Sequence, residues 1–79
     1  MGSYEQVRLL RSTIHWAQKE CIKWIREHSN MSKQLAVETF IEKMDDYSTK
    51  NLHTSLIFSI AKDVGMSILD DMIMKGEAR

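Results

Sequence analysis

Apolar residues recur along this chain at spacings of three and four, and nowhere in the strict alternation of a half-buried strand. The repeat is interrupted twice, at Ser29-Asn30 ahead of Met31-Ser32 and at Ser48-Thr49-Lys50-Asn51. With no proline and a single interior glycine, Gly65, these polar clusters are the natural breaks. The pattern predicts an all-α fold of three helices in one domain. The helices should cover about residues 4–29, 33–47 and 52–75, with 76–79 as a flexible tail.

The first helix should open on Ser3-Tyr4-Glu5-Gln6, an S-x-x-Q capping box. At about 100° per residue, Val7, Leu10, Ile14, Ala17, Cys21, Trp24 and Ile25 form one stripe, ending at His28. Arg8, Lys19, Lys23 and Arg26 lie away from it, and Asn30 suits the left-handed residue that stops a helix. The second helix should take Ser32 as N-cap and gather Ala36, Val37, Phe40, Ile41, Met44 and Tyr47 on one side. In the third, Ile57, Ile60, Ala61, Val64, Ile68 and Met72 make the main stripe. Phe58, Met66, Leu69 and Ile73 widen it to about half the circumference, and Gly76 marks the stop.

The three segments differ in length. The outer helices should each reach about 35 Å and the middle one about 22 Å. A short middle helix leaves part of a long pair uncovered, so core-type side chains would meet water unless a second copy or another protein sits there. The same expectation follows from size, because a 79-residue chain builds a small core. A homo-oligomer, with a dimer favoured, is therefore expected to complete a larger helical bundle.

Leu9 and Trp16 fall opposite the core stripe of the first helix, seven residues apart. Tryptophan is enriched where interfaces bury rigid amphipathic area. The pair, with Met66, Leu69 and Ile73 on the third helix, forms the expected protein interface. Methionines 66, 72 and 74 add an adaptable apolar surface near the end of that helix.

Composition narrows the function classes. The chain is 43% hydrophobic and 28% charged, the mixture of a folding domain. Its longest uncharged stretch, Asn51 to Ala61, is far short of a membrane span. Tyr4 to Arg11 carries Glu5, Arg8 and Arg11, unlike the apolar centre of a signal peptide. The lone Cys21 cannot close an internal disulfide, and a reducing, cytoplasmic setting is expected. Eleven Lys and Arg balance eleven Asp and Glu, which removes the diffuse positive field that drives non-specific nucleic-acid binding.

Candidate chemistry is sparse. Cys21 and His28 are about 10.5 Å apart along a helix, too far to chelate one metal as a pair, and no zinc spacing is present. Cys21 is expected to be a small buried hydrophobe without nucleophilic or ligand duty, and His53 a boundary residue. Glu38, Glu42, Asp45, Asp46, Asp63, Asp70 and Asp71 could hold Mg²⁺ or Mn²⁺ in an all-helical phosphate-cleaving enzyme, but most point away from the apolar stripes. A helix-turn-helix reading fails because the third helix has Lys62 and Lys75 as its only cations against three acids.

The function expected from these features is a small non-enzymatic protein–protein interaction module, an inhibitor, adaptor or regulatory subunit, needing no cofactor or metal. The alternatives are the metal-dependent enzyme and a nucleic-acid binder using the basic strip of Arg8, Lys19, Lys23 and Arg26.

Overall fold

The computed structural model describes residues 2–76, with side chains from residue 7 onward. It is all-α: α1 spans Gly2–Glu27, α2 Lys33–Lys50 and α3 Ser55–Lys75. The chain runs up, down and up. α2 lies antiparallel to α3, with Tyr47 against Phe58 and Asp45 beside Lys62, and α1 returns parallel to α3. α2 and α3 form the closest pair, and α1 rests more loosely across them.

Local chemistry accounts for most boundaries. Ser32 caps α2, its Oγ accepting the Leu35 N–H at 3.1 Å. Gly76 ends α3 in the left-handed region at φ 72°, and its N–H donates to the Ile73 carbonyl at 3.2 Å. Any side chain at that φ would be strained.

Four boundary expectations need correction. α2 continues through Ser48, Thr49 and Lys50 rather than stopping at Tyr47. The Ser48 and Thr49 hydroxyls donate back to the carbonyls of Asp45 and Asp46, at 2.7 and 2.8 Å, so these polar residues satisfy themselves within the helix. The break falls instead at residues 51–54, where the Asn51 side chain accepts the His53 N–H, and α3 starts at Ser55. α1 ends at Glu27, and Asn30 does not adopt a left-handed conformation. A turn does the work there, with the His28 N–H on the Trp24 carbonyl and the Met31 N–H on that of His28. α1 also begins at Gly2, ahead of Ser3. The Ser3–Gln6 side-chain box and the tail at 77–79 lie outside the described residues.

The core is small and lies where all three helices overlap. Ala17 and Cys21 from α1, Ala36, Val37, Phe40 and Met44 from α2, and Ala61 and Met72 from α3 are buried. Trp24, Ile25, Ile41, Tyr47, Phe58, Val64, Ile68 and Leu69 pack around them. Small residues let the helices approach: an added Cβ on Gly65 would meet Ile41 Cγ1 at 2.8 Å and Phe40 Cδ2 at 3.1 Å.

α1 is fastened to α2 mainly through Trp24. Its indole N–H donates to Thr39 Oγ1 at 3.0 Å, and Thr39 in turn donates to the Ala36 carbonyl. His28 stacks on the indole with centroids 4.1 Å apart, Phe40 meets it edge-on, and the Lys43 ammonium lies 5.4 Å from its ring centre. Hence the second half of α1 is held on several sides, while Leu9, Leu10, Thr13 and Ile14 in its described earlier part face α3.

Candidate protein interface

At 1.5 Å per residue, α1 is about 39 Å long, α3 about 32 Å and α2 about 27 Å. Because α2 packs on only one side of the α1–α3 pair, the opposite side has no covering helix. A seam runs along it. Two grooves of about 500 and 380 Å³ lie between α1 and α3, and Leu10 and Ile60 line both. Leu9, Leu10 and Thr13 face Leu56, Ile57 and Ile60 in the first; Leu10, Ile14 and Gln18 face Ile60, Asp63, Val64, Ser67 and Ile68 in the second.

The seam is more exposed than a core boundary should be. Leu9 is 70% exposed, Leu10 46%, Leu56 72% and Ile57 41%. Val7, Leu10 and Ile57 fall on core stripes by their helical angle, and the structure overturns that expectation. Their angle is right, but no neighbour extends far enough to cover them. Only the stretch of the α1 stripe from Ala17 onward reaches the region shared with α2.

The five residues singled out by sequence are not gathered in one patch. Leu9 lies on the seam. Trp16, expected at a protein interface, packs edge-to-face on Phe58 of its own chain with ring centroids 6.4 Å apart and is 39% exposed. Leu69 leans on the core, while Met66 and Ile73 are exposed on another face of α3. The sequence pattern did not mark Leu10, Leu56 and Ile57 as surface residues. Leu56, next to a predicted stripe but not on it, was the available signal.

Other chemistry is dispersed. Asp45 pairs with Lys62 at 2.9 Å, Asp46 with Lys50 at 2.8 Å and Asp71 with Lys75 at 3.4 Å, while Glu38 accepts from Gln34. The hydrogen bond to Asp46 holds the Lys50 ammonium above its ordinary pKa. Among the described residues, no three His, Cys, Asp or Glu side chains stand close enough to share a metal ion. Arg8, Lys19, Lys23 and Arg26 are all exposed on the outer side of α1. Cys21 is fully buried, and desolvation pushes its thiol up to about 11. No described helix is long and apolar enough to cross a membrane.

Compared with known proteins, the chain matches no family model, no curated protein and no solved structure. The reading of function therefore stands on this surface.

Proposed function

We propose that this chain is a non-enzymatic protein–protein interaction module whose binding face is the α1–α3 seam. The observation that carries the reading is the row of exposed Leu9, Leu10, Leu56 and Ile57 along one groove, edged by Thr13, beside a second groove lined in part by polar Gln18, Asp63 and Ser67. Contiguous apolar surface with a polar rim is the anatomy of a site that buries itself against another polypeptide. A groove between two helices accepts a third, whose side chains at i, i+3, i+4 and i+7 fill the spaces between the ridges. Such a protein acts by occupancy, as an inhibitor, adaptor or small subunit does.

Site-directed photocrosslinking in a lysate of the native host tests this. A benzophenone amino acid replacing Ser67, on the seam, is expected to give discrete crosslinked products identifiable by mass spectrometry. The same group replacing Asp46, on the outer face of α2, should not. Equal products from both positions, or none from Ser67, would refute the reading.

A further inference from the structure

We propose that the outer face of α1 is a second docking surface, for an acidic helix of another protein that carries about one carboxylate per turn. The proposal does not rest on the seam, which lies on a different side of the same helix.

Charge on α1 is sorted by face. Arg8, Arg11, His15, Lys19, Lys23 and Arg26 follow one another at steps of three, four, four, four and three residues. Those are the neighbour spacings of a helix surface, and together they make about five turns, so the six side chains form one ridge parallel to the axis, about 27 Å long. The other described residues within this arc of about 120° are Ser12 and Ile22, and all eight are exposed. Glu20 and Glu27, the acids of the described part of α1, lie about 100–120° round from the centre of the ridge. Among the described residues none of the five Lys and Arg of the ridge joins an ion pair, whereas Lys50, Lys62 and Lys75 on α2 and α3 hold carboxylates at 2.8, 2.9 and 3.4 Å. Like charges three and four positions apart repel, and an incoming row of anions removes that repulsion.

The form of the ridge selects the partner. Its basic groups repeat about every 5.4 Å along a straight line, which is the pitch of an α-helix, so a second helix lying alongside can set a carboxylate against each. Arg8, Arg11 and Arg26, at the two ends, can each hold a carboxylate through two parallel hydrogen bonds. A duplex fits less well: its strands wind through about three-quarters of a turn in that length and leave a straight ridge. The net charge of zero also provides no long-range field for a polyanion. A lipid surface takes up a helix by its apolar face, and that of α1 is turned into the core at Ala17 and Cys21. Ile22, 49% exposed, is the one apolar side chain within the ridge.

The probe is a fluorescein-labelled, alanine-based synthetic helix of about 20 residues with glutamates at steps of three and four along one face. Its control has the same composition with the glutamates spread round the helix. Fluorescence anisotropy at low ionic strength is expected to show the striped peptide binding about tenfold or more tighter than the spread one. Lys19→Glu, which puts a carboxylate at the centre of the ridge, should weaken the striped peptide by about tenfold or more. Lys50→Glu makes the same change in net charge on α2 and should alter binding by less than about twofold. Both positions are exposed, and circular dichroism checks that both variants stay helical. No binding of the striped peptide, equal binding of the two peptides, or equal losses from the two variants would overturn the proposal. So would tighter binding of duplex DNA or of phosphatidylserine vesicles than of the striped peptide, which would assign the ridge to nucleic acid or to a membrane surface instead.

Discussion

Replacing Gly65 by Ala sets two effects of opposite sign against each other, and the α2–α3 contact decides which wins. In an open helix the substitution stabilises by about 1 kcal/mol, because glycine loses more backbone freedom on folding. Here the new methyl would sit 2.8 Å from Ile41 Cγ1 and 3.1 Å from Phe40 Cδ2, well inside the 3.5–4.0 Å at which carbon atoms pack. Phe40 is buried on every side and has nowhere to go. The Ile41 atom is the middle of its side chain, so moving it means turning χ1 out of a rotamer or separating the helices. Overpacking of this kind costs about 1–3 kcal/mol. Gly65→Ala should therefore destabilise by about 1 kcal/mol, a fall of roughly 4–8 °C in Tm for a domain of this size.

A double-mutant cycle isolates the cause. Ile41→Ala removes Cγ1 and should itself destabilise; in that background Gly65→Ala should become neutral or stabilising, a coupling of about 1–2 kcal/mol. The assay is urea unfolding followed by circular dichroism and tryptophan fluorescence, at one fixed protein concentration so that association contributes equally. A rise in the wild-type midpoint on Gly65→Ala, or the same shift in both backgrounds, would show that α2 and α3 do not meet as described.

Two further outcomes follow from α1. The buried Cys21 thiol is pushed from its ordinary 9.0 up to about 11, so between these values the unfolded chain ionises while the folded chain keeps its proton. Its contribution is then constant below pH 9 and is lost as pH rises toward 11, at about 1.4 kcal/mol per pH unit and on the order of 2–3 kcal/mol in all. The stability difference between wild type and Cys21→Ala should accordingly be flat to pH 9 and fall beyond it; parallel curves to pH 11 would contradict the burial. Trp24→Ala should cost about 3–5 kcal/mol of stability, since it removes the bond to Thr39 and the packing of His28 and Phe40 together. Trp16→Ala, which loses one edge contact to Phe58, should cost at least about 1 kcal/mol less in the same thermal scans, and the reverse order would mean the two faces of α1 are exchanged.

Much of this architecture is encoded at short range, and those parts were legible. Ser32 caps its helix and Gly76 ends one because a side-chain oxygen and a missing Cβ act on residues no more than four positions away. Ala17, Cys21, Phe40 and Met72 are buried because a helical angle identifies the inward face. What the angle omits is reach. Leu10 and Ile57 point as inward as Ala17, yet α2 does not extend over them on that side. The length mismatch signalled that something would be uncovered, without saying which residues. Ser48 and Thr49 misled because hydroxyl groups that favour turns also back-bond inside a helix, as these two do to Asp45 and Asp46. Trp16 depends on how α1 crosses α3, a tertiary quantity absent from local sequence.

The composition of the seam also limits how long a partner helix can profit from it. On α3 the row Ile57, Ile60, Val64 and Ile68 advances by three, four and four residues, the ridge spacing that receives another helix. On α1 the row Leu10, Ile14 and Gln18 advances by four and turns polar at its third member. From Leu56 to Ile68 the apolar strip therefore extends about 18 Å, a little over three helical turns. From Ala17 onward α1 enters the shared core, where Ala17 and Cys21 are fully buried. The fastening of α1 by Trp24 and its open half along the seam thus occupy different lengths of the same helix, so a partner can be gained or lost at the seam without unpacking the region that holds the fold.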